Sequence, residues 1–433
     1  MGKLRFIVVL LVLLCNAGGY CQQIRVTDSA YDQAQKAFSD LDAVLKQDNG
    51  RLWRHKMEGP VLLINPGTRV VLANMADKKG ALVLQHNLYA GLFPENNNIA
   101  NSAGEWNGRR WTMVKWPLNV TQSEIINVLV HESFHRIQPD VGFKYLAGSS
   151  CTHLDTREGR IWLKMEIEAL KEAIRSEDPS PHIAHALMFR KYRQHLFPGS
   201  RANENALELN EGLAEYTGNI LSGWNFEAFK GHDASQVDWF YDLNTFVRSF
   251  AYITLPLYGY FMQQSDASWN LKIKQKTDLT GFLLDHFHIG PAIPLSEEIM
   301  RTSKFYKADS IIAFEDAREL KRLAQVKKYR EMFLGDSVLI IKLVHMNIGF
   351  SPGNLVPLDS LGTVYPNLRI TDTWGILKVD SCGALVTSDW QHVAVPAPKL
   401  VTDSLIGGRG WTLNLAPGWK LTMVHGKYTL YKP

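Results

Sequence analysis

Residues 127–139 read NVLVHESFHRIQP. An apolar run through Val130 leads into His131 and His135, four positions apart, with Glu132 beside the first histidine. Four residues is about one turn of helix, so both imidazoles leave the same face and can share one cation. For zinc, each nitrogen would lie about 2.0–2.1 Å from the ion. Glu132 would stand next to the first ligand, in reach of a water on the open side of the ion, where a carboxylate can serve as general base. The competing reading is two histidines on an ordinary helix. The apolar approach to the motif favours a helix buried in its domain.

Upstream, SAYDQAQKAFSDLDAVL (residues 29–45) carries Tyr31, Ala34, Ala37, Phe38, Leu41 and Leu45 at helical spacing and predicts an amphipathic helix from Ser29 to about Lys46. Between it and the histidines, GPVLLINPGTRVVLANM, GALVLQHNLY and RRWTMVKWPL alternate β-branched runs with Gly, Pro and Asn turns, predicting a small mixed sheet. Downstream the patterns turn helical: Arg157 to Ser176, Pro181 to His195, Glu204 to Leu221, and an apolar stretch ending at Met262. A charged helix from Ile311 to Met332 reads as a solvated face. Beyond Gly335 short β runs such as SVLIIKLV, WGILKV and GWTLNL predict an all-β module, a sandwich or small barrel. The fold class is therefore α+β. The expected divisions are a leader at 1–21, a helix and mixed sheet at 22–125, a helical part with the histidine motif at 126–334, and the β-module at 335–433.

Composition narrows the class. With 433 residues, 45% hydrophobic and 21% charged, the chain has apolar material for two or three domains with cores and is not a disordered polymer. The net charge of +4 is spread along the chain, which argues against a nucleic-acid partner. Lys3 and Arg5 precede the apolar run FIVVLLVLL and then small and polar residues, the pattern of a secretory signal peptide cleaved near Cys21. Its apolar core is shorter than the ~20 residues a membrane span needs, so no permanent span is expected and the mature chain should be exported, periplasmic or extracellular. Cys151 and Cys382 then remain, far apart and expected to be unpaired.

A catalytic zinc site takes three protein ligands and keeps one position open. No third histidine follows His135 closely, so a carboxylate must complete the set. The segment NEGLAEYTG (210–218) offers Glu211 and Glu215, four apart on a predicted helix: one can bind the metal while the other accepts a hydrogen bond from a liganding histidine. Glu204 and Glu208 extend the stripe, whose plainer reading is an acidic helix face. Other histidine pairs, His182 with His185 and His286 with His288, lack a matching carboxylate helix; the latter pair alternates as in a strand.

Together, HESFH and NEGLAEYTG resemble the gluzincin branch of zinc metallopeptidases, the peptidase MA-like group, over about Val61 to Met262. The resemblance implies a zincin-like domain, one catalytic Zn2+, ligands His131, His135 and Glu211, Glu132 as general base and Glu215 behind a ligand. Glu211 lies farther downstream than in the compact thermolysin-like arrangement, which implies an inserted helical hairpin. It also leaves Glu166, in GRIWLKMEIEAL, as an alternative third ligand similar to those of other zincins. The resemblance further implies a peptide-pairing edge strand ahead of the active-site helix, for which WTMVKWPL is the candidate, with Trp111 and Trp116 lining the cleft or simply packing the core. For a donor facing the oxyanion the candidates are Tyr252 with Arg248, then Tyr216.

The expected function is hydrolysis of peptide bonds in a peptide or protein substrate, endopeptidase more than aminopeptidase because no amine-anchoring segment of the GxMEN type occurs. A catalytically silent zincin-fold binding protein is the alternative, and metal-free carbohydrate or envelope binding by the β-module a third.

Overall fold

The computed structural model describes residues 26–144, 151–223, 231, 237, 239–335, 337–351 and 354–433; the expected leader lies outside the described residues. Helix α1 (Asp28–Asp48) starts where the Thr27 side chain accepts the Ala30 amide, and buries the apolar stripe seen in its sequence. Six strands follow: β1 (Val61–Ile64), β2 (Val70–Ala73), β3 (Val83–Gln85), β4 (Leu88–Leu92), β5 (Ser102–Trp106) and β6 (Arg109–Lys115). They form one sheet in the order β3-β4-β2-β1-β6-β5, with β1 parallel to β6 and the remaining neighbours antiparallel. Side chains alternate across it: Val61 and Leu63 enter the large helical core, Leu62 and Ile64 a smaller core on the opposite face. His86-Asn87 and Asn107-Gly108 turn the two tight hairpins at positive φ, as mirror-image turns require.

This order corrects one expectation. β6, the candidate edge strand, lies between β1 and β5, so β5 forms the edge. Trp111 is fully buried in the smaller core, its indole donating to the Trp106 carbonyl at 2.9 Å, and Trp116 is buried in the large one. Among the described residues, neither tryptophan lines the cleft beside the histidines. β5 was hard to see because SAGEW has little β-forming character; the Asn-Gly after it was the available signal.

Helix α2 (Gln122–Ile137) carries the histidines and opens with a capping box in which Thr121 and Glu124 satisfy each other's backbone amides. It packs between β6 and α6 (Leu213–Leu221). The α3 (Arg157–Arg175) and α4 (Ser180–Leu196) hairpin fills the interval before α5 (Ser200–Leu207). The single helix expected from Glu204 to Leu221 is instead α5 and α6 joined by a π-helical turn at Glu208–Gly212. Two of the carbonyls in that turn, of Leu209 and Asn210, accept from Gln138 Nε2 at 3.0 and 2.9 Å. A helix at Ala251–Ser265 lies against the turn.

His286 ends a helix at Leu279–His286, so the strand-like alternation of His286 and His288 misled. The long helix Ala308–Leu334 is mostly exposed, but not wholly: Glu315 is buried against Arg160 at 2.9 Å and Lys164 at 2.6 Å. Among the described residues no helix is long and apolar enough to cross a membrane. Cys151 and Cys382 are free thiols.

From Val338 the chain is all β, forming two open sheets. One runs Lys420–Val424, Lys427–Tyr431, Val338–Lys342, His392–Pro396, Ala384–Val386, Thr363–Tyr365, Val356–Pro357; the other runs Leu400–Val401, Leu405–Gly408, Trp411–Leu415, Gly375–Val379, Leu368–Asp372, Asn347–Phe350. Inward side chains of both, such as Leu339, Val393, Ile370 and Leu413, share one core, which makes a sandwich.

Candidate metal centre

Close approach of α2 and α6 assembles the site. Gly218 permits it: a Cβ there would lie 3.0 Å from the Asn127 carbonyl and side chain. One turn earlier on α6, Glu215 Oε2 stands 2.9 Å from His131 Nδ1. Because a carboxylate only accepts, the His131 proton sits on Nδ1 and Nε2 faces inward. His135 is fixed similarly by a residue the sequence reading missed. Gln138 must turn its Nε2 toward the Leu209 and Asn210 carbonyls, so its Oε1 faces His135 Nδ1, 2.9 Å away. Gln138 falls one turn beyond His135 on the same face, the signal that could have found it.

The π turn aims Glu211 at the two imidazoles. The Nε2 atoms are 3.1 Å apart; Glu211 Oε2 lies 3.3 Å from His135 Nε2 and 3.7 Å from His131 Nε2. Ligands about 2.0–2.1 Å from a tetrahedral zinc stand roughly 3.3–3.4 Å from one another, and the three observed separations bracket that figure. Three acceptor atoms this close need protons or a cation between them, and two imidazoles with a carboxylate suit a cation. His131, His135 and Glu211 thus form a group that could hold a metal ion.

The remaining contacts restrain Glu211. Tyr252 donates its hydroxyl to Oε2 at 2.6 Å while its ring stacks on His131, 3° from parallel; Asn210 Nδ2 donates to Oε1 at 3.0 Å, and Arg248 Nη2 lies 3.5 Å from that oxygen. Burial alone would raise the Glu211 carboxyl, but the His131 and His135 contacts outweigh it and hold it well below its ordinary value. Burial lowers His131 by itself, yet the Glu211 and Glu215 carboxylates raise it to about 10. Both shifts express one fact: a buried pocket with Glu132, Glu211 and Glu215 around it favours positive charge. Tyr252 is pushed well above its ordinary value by burial and then by Glu211, so it stays a neutral donor.

Glu132 is 6% exposed, raised by burial, and its Oε2 has no hydrogen-bond partner among the described residues. An orphaned buried carboxylate oxygen costs stability, and such groups recur where chemistry needs them. It borders a cleft of about 450 Å3 lined also by Ala103 of β5, Arg110, His135, Glu211, Arg248 and Tyr252. The donor set, two imidazoles and a carboxylate beside the unpartnered Glu132 oxygen, is one that could hold a divalent ion such as zinc with a position left open.

The alternative third ligand does not converge here. Glu166 is fully buried, paired with Arg190 and Arg193 at 2.6 Å each, and accepts from Tyr258. Glu204 and Glu208 are likewise not an exposed stripe: Glu204 pairs with Arg193 and Glu208 with Arg190. Tyr216 is buried away from the group, its hydroxyl accepting from Trp269 Nε1 at 3.0 Å. His182 and His185 both contact the Tyr306 hydroxyl, at 2.8 and 2.7 Å.

No family model matches this chain, and no curated protein or solved structure matches it.

Proposed function

We propose that this protein is an exported zinc-dependent peptidase of gluzincin type that hydrolyses peptide bonds with Glu132 as general base. The observation that carries the reading is the convergence of His131, His135 and Glu211 beside a buried, unpartnered Glu132 oxygen at the head of an open cleft. Zinc, when bound by the three side chains, would supply Lewis acidity that polarises the scissile carbonyl and acidifies water.

The protein's own groups do the rest. Glu132 Oε2 takes a proton from the attacking water and returns it to the departing amine nitrogen; a carboxyl raised by burial suits a base that must also become an acid. Tyr252, kept protonated, and Arg248, both beside Glu211, are the donors assigned to the oxyanion. Glu215 and Gln138 hold the imidazole tautomers. The orphaned base favours turnover over a silent binding role, since a binding protein gains nothing from an unsatisfied buried carboxylate.

Glu132→Gln is isosteric and should keep zinc while lowering hydrolysis about 10²–10⁴-fold, measured with a quenched peptide library and parallel elemental analysis. Full activity with zinc retained would exclude Glu132 as the base.

A further inference from the structure

We propose that the C-terminal sandwich completes the substrate cleft, with Phe350 as the apolar wall that selects a large apolar side chain on an extended peptide lying along β5. The proposal rests on the peptidase reading and names the substrate class for that site.

The cleft is not made by the first region alone. Phe350 ends the Asn347–Phe350 strand, the outer strand of its sheet, and lines the same cleft as Glu132, His135 and Tyr252. Hydrogen bonds lock this strand and its neighbour to the loop that leads into β5. Arg369 Nη1 donates to Asn98 Oδ1 at 2.6 Å, Asn98 Nδ2 to Asn347 Oδ1 at 3.0 Å, and Thr371 Oγ1 to the Asn96 carbonyl at 2.9 Å; Arg369 also reaches the Glu95 carbonyl. Gly349 lets the surfaces close, because a Cβ there would stand 3.3 Å from the Asn98 side chain.

Phe350 is half-buried and braced from behind. Its ring meets Tyr365 edge-on at 4.9 Å, and Tyr365 meets Trp390 at 6.1 Å. These contacts hold the ring on the sandwich side, and Phe350 borders the cleft. The same cleft has a surface suited to backbone: among the described residues β5 pairs only with β6, and Asn101 to Ala103, at the start of β5, line the cleft. A strand edge binds an extended peptide through main-chain hydrogen bonds and leaves selection to pockets beneath alternate side chains. Polar groups dominate near Glu211; the larger apolar side chains of the lining are Pro139, Phe143 and Phe350, and Phe350 is the one the sandwich contributes, so an apolar residue of the substrate seated against it gains by leaving water.

The test uses the full-length zinc-loaded protein and quenched alanine hexapeptides in which one Phe is moved through every position. One register of Phe should be preferred. Phe350→Ala should lower kcat/KM for that peptide about ten- to a hundred-fold more than it lowers kcat/KM for the all-alanine peptide, and Phe350→Leu should restore part of the preference. A second readout avoids turnover: fluorescence anisotropy of the labelled Phe peptide on Glu132→Gln protein, compared with the Phe350→Ala, Glu132→Gln double variant, should show the same loss. Equal activity of Phe350→Ala and wild type across the set, or an equal loss on every peptide, would overturn the proposal. Absence of hydrolysis by wild type together with Phe350-dependent binding would refute the peptidase reading and leave the cleft assignment supported.

Discussion

His131 and His135 can point their Nε2 atoms at one place because their Nδ1 atoms are engaged behind them, by Glu215 and Gln138. Glu215→Gln and Gln138→Ala should each weaken zinc binding about 10–100-fold, read by competition with a chromophoric chelator. Unchanged affinity in both would mean that the ring orientations do not depend on these partners. At this scale the sequence was most legible. The interval between His131 and His135 maps directly onto one face of α2, whereas Glu211 and Glu215 both reach the imidazoles from either side of a change from π turn to α-helix. Gln138 obeys the same rule, but its importance depends on carbonyls of a distant turn that no local pattern reveals. Trp111 and Trp116 were ambiguous because alternation tells which residues share a face, not which strand lies at the edge.

The turn Glu208–Gly212 shows how elements position the third ligand. Arg190 grips Glu208 through Nη1 and Nη2 at 3.0 and 2.6 Å, and Thr254 adds its hydroxyl, so the start of the turn is anchored one turn before Glu211. Arg190→Met leaves Glu166 and Glu208 buried without that partner and should destabilise the fold by about 3–5 kcal/mol, measured by urea unfolding. A loss below about 1 kcal/mol would show that the pocket readily admits water. Glu204 gives a pH signature. Burial would raise its carboxyl, but Arg193 and His153 outweigh burial and depress it. A depressed group adds stability that is present above the unfolded value, about 4.3, and is lost as the pH falls through the lower folded value. Glu204→Gln should therefore lower stability at neutral pH and flatten its fall below about pH 4. An unaltered acid limb would remove Glu204 from the cause. The acidic spacing of Glu204, Glu208 and Glu211 was visible in the sequence; its meaning was not, because Arg190 and Arg193 come from α4 and only packing reveals the pairs.

Across the whole molecule, the sheet, the helical region and the sandwich meet at one cleft. The change from helical to β patterning near Gly335 made the final region legible as a separate module, yet its contribution to the cleft was not, since Phe350 and Ala103 are neighbours only after folding. Arg369 ties the sandwich to the loop before β5 through Asn98 and the Glu95 carbonyl. Arg369→Ala should loosen residues 95–98 by about 1–2 kcal/mol, seen as faster local hydrogen exchange with protection of α2 unchanged. Exchange that stays slow would place the attachment elsewhere. The claim on which all of this depends is convergence of two imidazoles and one carboxylate on a single ion, and anomalous diffraction at the zinc edge reads it directly. The expected result is one peak about 2.0–2.1 Å from Nε2 of His131, Nε2 of His135 and an oxygen of Glu211. A peak held by other side chains, or none on zinc-loaded crystals, would contradict it.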